Sequence, residues 1–331
     1  MIEQFAQLLS IFNSKKTFVI TTHVNPDGDA IGSEVALALY LKNKGKEVTI
    51  INQSETPGHL LFLTEFFPVR TYNGNEDHRI LNADCFCVVD TNSPKRFSAM
   101  AETVKRSPAV KVCIDHHLEH EHFADHYIVD TEVPATSELL YRIFVSDNPD
   151  SITKPIADAL YAGIMTDTGS FKFPKTDAET HHITADLLQR GTDPYEIYQH
   201  VFESGEINKL HLLGKALERI EVHYNGKIAS MALPRSIFAE TQTEESDVDN
   251  LTQYVLSIKK VVVGLVFVEL ADGVKVSFRS KGDIAINEVA KQFGGGGHKN
   301  ASGARLKNIS LTDAVTSVIE RTKMLLSTQE K

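Results

Sequence analysis

From Thr17 onward, short apolar runs alternate with longer stretches in which apolar residues recur every three or four positions. TFVITT, residues 17–22, reads as a strand, and a polar loop, HVNPDGDA, follows it. Residues 31–45 read as a helix, with Val35, Leu37, Ala38 and Leu41 at helical spacing and Gly45 at the stop. EVTIIN (47–52), CFCVVD (85–90) and VKVCID (110–115) repeat the strand signature. The spacing predicts helices over 59–66 and 93–107, with Pro94 tolerated near the start of the second. Such alternation predicts an α/β domain on a mostly parallel sheet. Residues 1–16 read as an amphipathic helix rather than a secretion signal.

Residues 135–202 read as largely helical, including an apolar helix within 151–171 that ends in an acidic turn and a helix over 181–191 stopped by Gly191. Helical text continues over 206–222. The last third changes character: strand runs at 227–234, 259–273 and 274–280 mix with helices over 248–257, 284–293 and 311–325. This predicts a smaller α+β domain with a mixed sheet. The expected division is 1–200 and 201–331, with the boundary inside 190–215. The acidic stretch 239–249, AETQTEESDVD, reads as a solvated loop.

Composition narrows the class. A chain of 331 residues suits two domains of ordinary size. No run of about 18 apolar residues is present, which argues against a membrane span. Cys85, Cys87 and Cys113 sit in or beside strand runs and read as buried thiols, which fits a reducing cytoplasm. The net charge of -10 argues against a partner made of long duplex nucleic acid. It is compatible with a small phosphate substrate, because bound cations reverse the local field.

The polar residues gather just past the strand ends: His23, Asp27 and Asp29, then Asp90, then Asp115, His116 and His117. Ligands of open parallel sheets bind at the carboxyl ends of the strands, so these segments can converge in one crevice. Asp167 lies in the further acidic turn TDTGSF. Each has a plainer role when taken singly. Asp-Gly-Asp makes turns, Asp90 and Asp167 can cap helices, and the stretch with His120, His122 and His126 reads as exposed surface. Gly28 is expected to allow a backbone bend between Asp27 and Asp29, so that each carboxylate serves a different ion. Together the residues form a mixed imidazole and carboxylate set, which suits manganese better than magnesium alone. Ser33 and Thr168 have no Ser-His-Asp setting, so covalent catalysis is not expected.

HVNPDGDAIGS (23–33), VVD (88–90), DHH (115–117) and TDTGSF (166–171), in this order, resemble the DHH phosphoesterase family. FGGGGHKNASGA (293–304) resembles its associated DHHA1-type substrate domain. Within the family, the architecture is similar to the bacterial nanoRNase and pAp-phosphatase group. The resemblance implies two divalent ions, manganese foremost and magnesium as the alternative. It assigns His23 and Asp27 to the first ion, Asp29, His116 and Asp167 to the second, and Asp90 to both. It implies that His117 contacts the scissile phosphate or assists its leaving group, while Asp115 steadies the motif.

In the second domain Gly294, Gly295, Gly296 and Gly297 permit close backbone approach and offer amide donors to phosphate, with His298 and Lys299 adding side-chain donors. A flexible loop is the plainer alternative. Arg279, with Ser280 and Lys281, is expected near a terminal phosphate, and Phe171 or Phe173 is available to stack a base or to fill the core. The implied activity is hydrolysis of short single-stranded RNA to mononucleotides, and of the 3'-phosphate of adenosine 3',5'-bisphosphate, across a crevice between the domains. Cyclic or linear dinucleotides, inorganic pyrophosphate and a non-catalytic nucleotide-binding regulator stay open, as does a homo-oligomer.

Overall fold

The computed structural model describes residues 2–117, 121–248 and 251–329. They form two compact units, Met1–Ser204 and Gly205–Lys331. In the first unit α1 (Ile2–Ser14) precedes β1 (Thr17–Thr21), α2 (Gly28–Asn43) and β2 (Glu47–Asn52). Then come α3 (Leu61–Thr64), β3 (Val69–Thr71), α4 (Asp77–Asn82), β4 (Cys85–Val89), α5 (Ser98–Arg106), β5 (Val110–Asp115) and β6 (His126–Val129). Four helices close the unit: α6 (Thr136–Asp147), α7 (Lys154–Asp167), α8 (Ala178–Gln189) and α9 (Pro194–Phe202). The sheet order is β3-β2-β1-β4-β5-β6 and every pairing is parallel. The order reverses between β1 and β4, and a parallel sheet opens a crevice at its carboxyl edge where that happens.

Alternation along the central strands explains both covered faces. Phe18 and Ile20 of β1, with Cys85, Cys87 and Val89 of β4, point into one core with α1, α2, α6 and α7. Val19, Phe86 and Val88 point into the other, against Phe97, Met100 and Val104. All three cysteines are buried free thiols. The edge strands β3 and β6 are short and half exposed, and their weak patterning gives no sequence signal for them.

Helix α2 is apolar nearly all round and almost wholly buried, as a central helix must be. It lies against α7 through small residues. A Cβ at Gly32 would overlap the Ala159 carbonyl, and one at Gly28 would overlap the Thr166 side chain. This corrects the expected role of Gly28. The helix begins at Gly28, with Asp27 as its N-cap, so no bend separates the two carboxylates. Gly28 is small there because α7 passes so close.

In the second unit α10 (Ile207–Leu217) leads to β7 (Ile220–His223), β8 (Ile228–Leu233), α11 (Ser236–Thr241), α12 (Leu251–Ser257), β9 (Val263–Glu269) and β10 (Gly273–Ser280). Then follow α13 (Asn287–Gln292), β11 (Gly296–His298), β12 (Ala301–Lys307) and α14 (Leu311–Gln329). The sheet order is β11-β12-β10-β9-β8-β7, with β8 and β9 parallel and the remaining pairs antiparallel. The architecture is therefore an α/β unit with a parallel sheet followed by a smaller α+β unit. Among the described residues no helix is long and apolar enough to cross a membrane.

Three expectations for this unit change. The helical text over 206–222 stops at Leu217, because Ile220 and Val222 pair with β8 and the sheet outweighs local spacing. The acidic stretch 239–249 is not simply a solvated loop: Val248 is buried, and Glu245 pairs with Lys275 and Arg305. Asp249 lies outside the described residues. The glycine run is an ordered hairpin, with Gly296, Gly297 and His298 paired to Gly303, Ser302 and Ala301. Close backbone approach occurs at Gly295 and Gly297, against the carbonyls of Gly303 and Ala301, while Gly296 faces open space.

Gly32→Ala is expected to destabilise the protein by about 1–3 kcal/mol, because the clash is with backbone that cannot rotate away. Chemical denaturation of the metal-free protein measures it, and an unchanged midpoint would contradict the α2–α7 account.

Candidate metal centre

The loop after β1 turns sharply into α2, with Asn25 in the left-handed region. His23 at its start is buried, and its Nδ1 lies 2.9 Å from the Val24 carbonyl. Asp27 caps α2 by accepting the Ala30 N–H through Oδ1. Asp29, in the first turn of α2, is buried and accepts the N–H groups of Thr136 and Ser137 at the start of α6, at 2.6 and 2.9 Å. Gly163 makes room for this: a Cβ there would overlap Ser137 Oγ and crowd Asp29 Oδ1.

Asp90 stands at the middle of the arrangement. It follows β4 at φ 57°, a conformation that aspartate tolerates better than most residues. Its Oδ2 lies 3.4 Å from His23 Nε2, and its Oδ1 lies 3.6 Å from His116 Nε2. Its two oxygens thus face different histidines. His116 Nε2 also lies 3.2 Å from Asp167 Oδ2. His117 Nδ1 binds Asp115 Oδ1 at 2.7 Å, which ties the ring to a fully buried carboxylate whose Oδ2 has no hydrogen-bond partner among the described residues. Of the downstream histidines, His126 opens β6 and His122 stacks edge-on against Tyr127, while His120 lies outside the described residues.

Asp167 is the last residue of α7, where the helix dipole disfavours negative charge. The turn beyond it is held open by three successive left-handed residues, Gly169, Ser170 and Phe171, and by the bond from Thr168 Oγ1 to the Ile164 carbonyl at 2.6 Å. Phe171 packs between Tyr161 and His181, so it belongs to the core, whereas Phe173 is half exposed. Ser33 and Thr168 are buried and hydrogen-bonded locally.

Among the described residues, three groups of ligand atoms come within 4.8 Å of one another: His23, Asp27 and Asp90; Asp29, His116 and Asp167; and Asp90, His116 and His117. The electrostatics fit a divalent cation. Burial first, then the charges of Asp29, Asp27, Asp167 and Asp115, push the Asp90 carboxyl far above the ordinary range. Burial, with Asp29 and Asp27, pushes Asp167 up to about 8. Burial also holds His23 below its ordinary value, favouring the neutral imidazole that ligates metal; Asp27 opposes this and Arg96 adds to it. Sequence reasoning overlooked Arg96, whose carbonyl accepts the Val24 N–H at 2.6 Å. It also overlooked Thr136 and Ser137, which carry no signal until α6 is folded against Asp29.

In the second unit Arg279 Nη1 donates to the Phe278 carbonyl, Lys299 pairs with Asp283 at 2.8 Å, and His298 is exposed on β11. Lys281 Nζ and Ser280 Oγ are engaged locally, with the carbonyls of Val261 and Ile284. Asn300 organises this end of the hairpin, donating to Ser280 Oγ and the Gly282 carbonyl, each at 2.9 Å.

The chain matches the model of the DHH family N-terminal domain over residues 17–164 and that of the DHHA1 domain over residues 225–327. It belongs to the DHH/DHHA1 family. This DHH/DHHA1 chain is 30% identical over 305 residues to the bifunctional oligoribonuclease and PAP phosphatase NrnA of Thermus thermophilus, covering 91% of this chain and 87% of that protein. To the protein of the same name from Bacillus subtilis it is 28% identical over 316 residues, covering 95% and 97%. An exopolyphosphatase-related protein from Bacteroides fragilis, solved by crystallography, matches with a TM-score of 0.93 and 31% identity over 98% of each chain. The DHH/DHHA1 chain is thus homologous to bacterial NrnA-like proteins and carries a candidate site for divalent ions.

Asp167 yields a pH prediction. Its folded pKa, about 8, exceeds its ordinary value of 3.8, so between these the folded state holds a proton that the unfolded chain has released. The stability this contributes is complete below pH 3.8 and is lost as the pH rises to about 8. The thermal midpoint of chelator-treated protein is expected to fall across that window, and less so in Asp167→Asn. Equal slopes for the two proteins would contradict it.

Proposed function

We propose that this chain is a two-metal phosphoesterase that uses manganese to hydrolyse short oligoribonucleotides to mononucleotides. We further propose that it removes the 3'-phosphate of adenosine 3',5'-bisphosphate. The observation that carries this reading is Asp90: its two oxygens face separate histidines, in a buried site where the neighbouring acids oppose its charge and a cation would favour it. Similarity to two bifunctional oligoribonuclease and PAP phosphatase proteins over nine-tenths of the chain supports the substrate class.

In this reading His23 and Asp27 hold one ion, Asp29, His116 and Asp167 hold the other, and Asp90 serves both. When bound, the ions supply an activated water and neutralise charge on the phosphoryl group. His117, with Nδ1 held by Asp115, keeps Nε2 for the scissile phosphate or its leaving oxygen. Buried Asp115 fixes the tautomer and orientation of that ring. In the second unit Arg279, His298, Lys299 and the backbone amides around glycines 294–297 recognise the remaining phosphates of the substrate. Net charge of -10 gives long RNA no general attraction, which favours short substrates.

Asp90→Ala is expected to remove nearly all turnover and to lower bound manganese from about two ions per chain. Metal analysis beside single-turnover assays checks this; a fully active metal-free preparation would overturn the reading. Arg279→Ala is expected to keep both ions and lose activity on short RNA and on the bisphosphate. Kinetics equal to wild type on both substrates would remove Arg279 from the site. For length, kcat/KM is expected to be higher on RNA of two to five nucleotides than on a strand of about two dozen, at matched manganese and salt. Equal or greater efficiency on the long strand would overturn the short-substrate assignment. A panel that adds cyclic di-AMP and pyrophosphate separates the remaining substrates.

A further inference from the structure

Thr136 touches two of the candidate ligands at once. Its backbone N–H donates to Asp29 Oδ2 at 2.6 Å, and its hydroxyl donates to Asp90 Oδ1 at 3.0 Å. The three residues come from different places in the chain: Asp29 from the first turn of α2, Asp90 from the end of β4, and Thr136 from the start of α6. All three are buried.

The two bonds differ in how replaceable they are. Asp29 is held redundantly, by the N–H groups of Thr136 and Ser137 and by Ser33 Oγ at 3.3 Å. The side chain of Asp90 has a single hydrogen bond of ordinary length among the described residues, the one from Thr136; the imidazole nitrogens stand farther off, at 3.4 to 4.0 Å. A carboxylate rotates broadly about its last torsion, so an unrestrained Asp90 would present its oxygens in many directions. The hydroxyl engages Oδ1, the oxygen beside His116, and thereby leaves Oδ2 toward His23.

We propose that Thr136 is a positioning residue for metal binding: its hydroxyl fixes the rotation of Asp90, and its backbone joins Asp90 to Asp29, so that both ligand groups are presented together. This rests on the two-ion reading above. The packing leaves little slack for another arrangement. Ser137 Oγ lies 2.9 Å from Ser33 Oγ, and a Cβ at Gly163 would overlap Ser137 Oγ. The start of α6 is therefore pinned between α2 and α7, and its hydroxyl reaches Asp90 from a fixed base.

Thr136→Val tests this, because it keeps the N–H bond to Asp29 and the side-chain shape and removes only the bond to Asp90. Thr136→Ser retains the hydroxyl. The full-length proteins would be stripped of metal and titrated with manganese, reading the free-ion binding curve and the paramagnetic resonance signal of the coupled ion pair. Thr136→Val is expected to need about 10–100-fold more manganese to form the pair. Its turnover should recover as manganese is raised, and Thr136→Ser should return toward wild type. A valine variant with the wild-type titration and pair signal would overturn the proposal while leaving the two-ion reading intact. Wild-type protein that forms no ion pair would overturn both. If the valine variant does not fold, Thr136→Ala, judged by metal-free thermal unfolding and the same titration, carries the comparison.

Discussion

Carboxylates buried beside one another repel, and each loses the solvation that would stabilise its charge, so a fold that gathers Asp29, Asp90 and Asp115 at one sheet edge needs hydrogen-bond donors, protons or cations there. The first unit is arranged around that constraint. Asp90 and Asp167 answer it by holding protons far above the usual carboxylate range. Asp29 answers it with two backbone amides from α6, and Asp115 with the imidazole of His117. The same crowding suits the site to divalent ions, which would replace the protons and attract every carboxylate at once.

The sheet supplies the scaffold that such a site requires. Parallel strands carry their carboxyl ends to one edge, and the reversal of order between β1 and β4 opens that edge where His23, Asp27 and Asp90 emerge. The close approach of α2 and α7 brings the start of one helix near the end of the other, and with it Asp29 near Asp167. The backbone conformations that accompany this are uncommon ones, at Asn25, Asp90, Ser170 and Phe171. They sit beside ligand candidates and nowhere in the strands, as expected where packing holds a functional geometry against local preference.

In the second unit the glycine run does its work as structure. Gly295 and Gly297 lie so close to the neighbouring strand that only glycine fits, and Asn300 knots the adjoining turn. The resulting hairpin holds the amides around His298 and Lys299 in order.

Much of this was legible in the residues alone. The apolar runs 17–22, 47–52, 85–90 and 110–115 become adjacent parallel strands, because alternation with helices leaves few other ways to cover both faces of a sheet. His23, Asp27, Asp29, Asp90 and His116 follow those strand ends in the same order, while Asp167 closes a helix and joined them as a set through the resemblance of its TDTGSF turn. The short edge strands β3 and β6 were not, since they are half exposed and lack a strong pattern. Nor was the hairpin in the glycine run, which exists because β12 offers it a partner. Local sequence thus pointed to side chains that the fold brings within reach of one another. Tertiary packing alone decided that Gly28 begins a helix instead of a bend, that Asp90 turns its oxygens toward different histidines, and that Thr136 reaches it. Those outcomes depend on contacts between segments tens of residues apart, which no local pattern encodes.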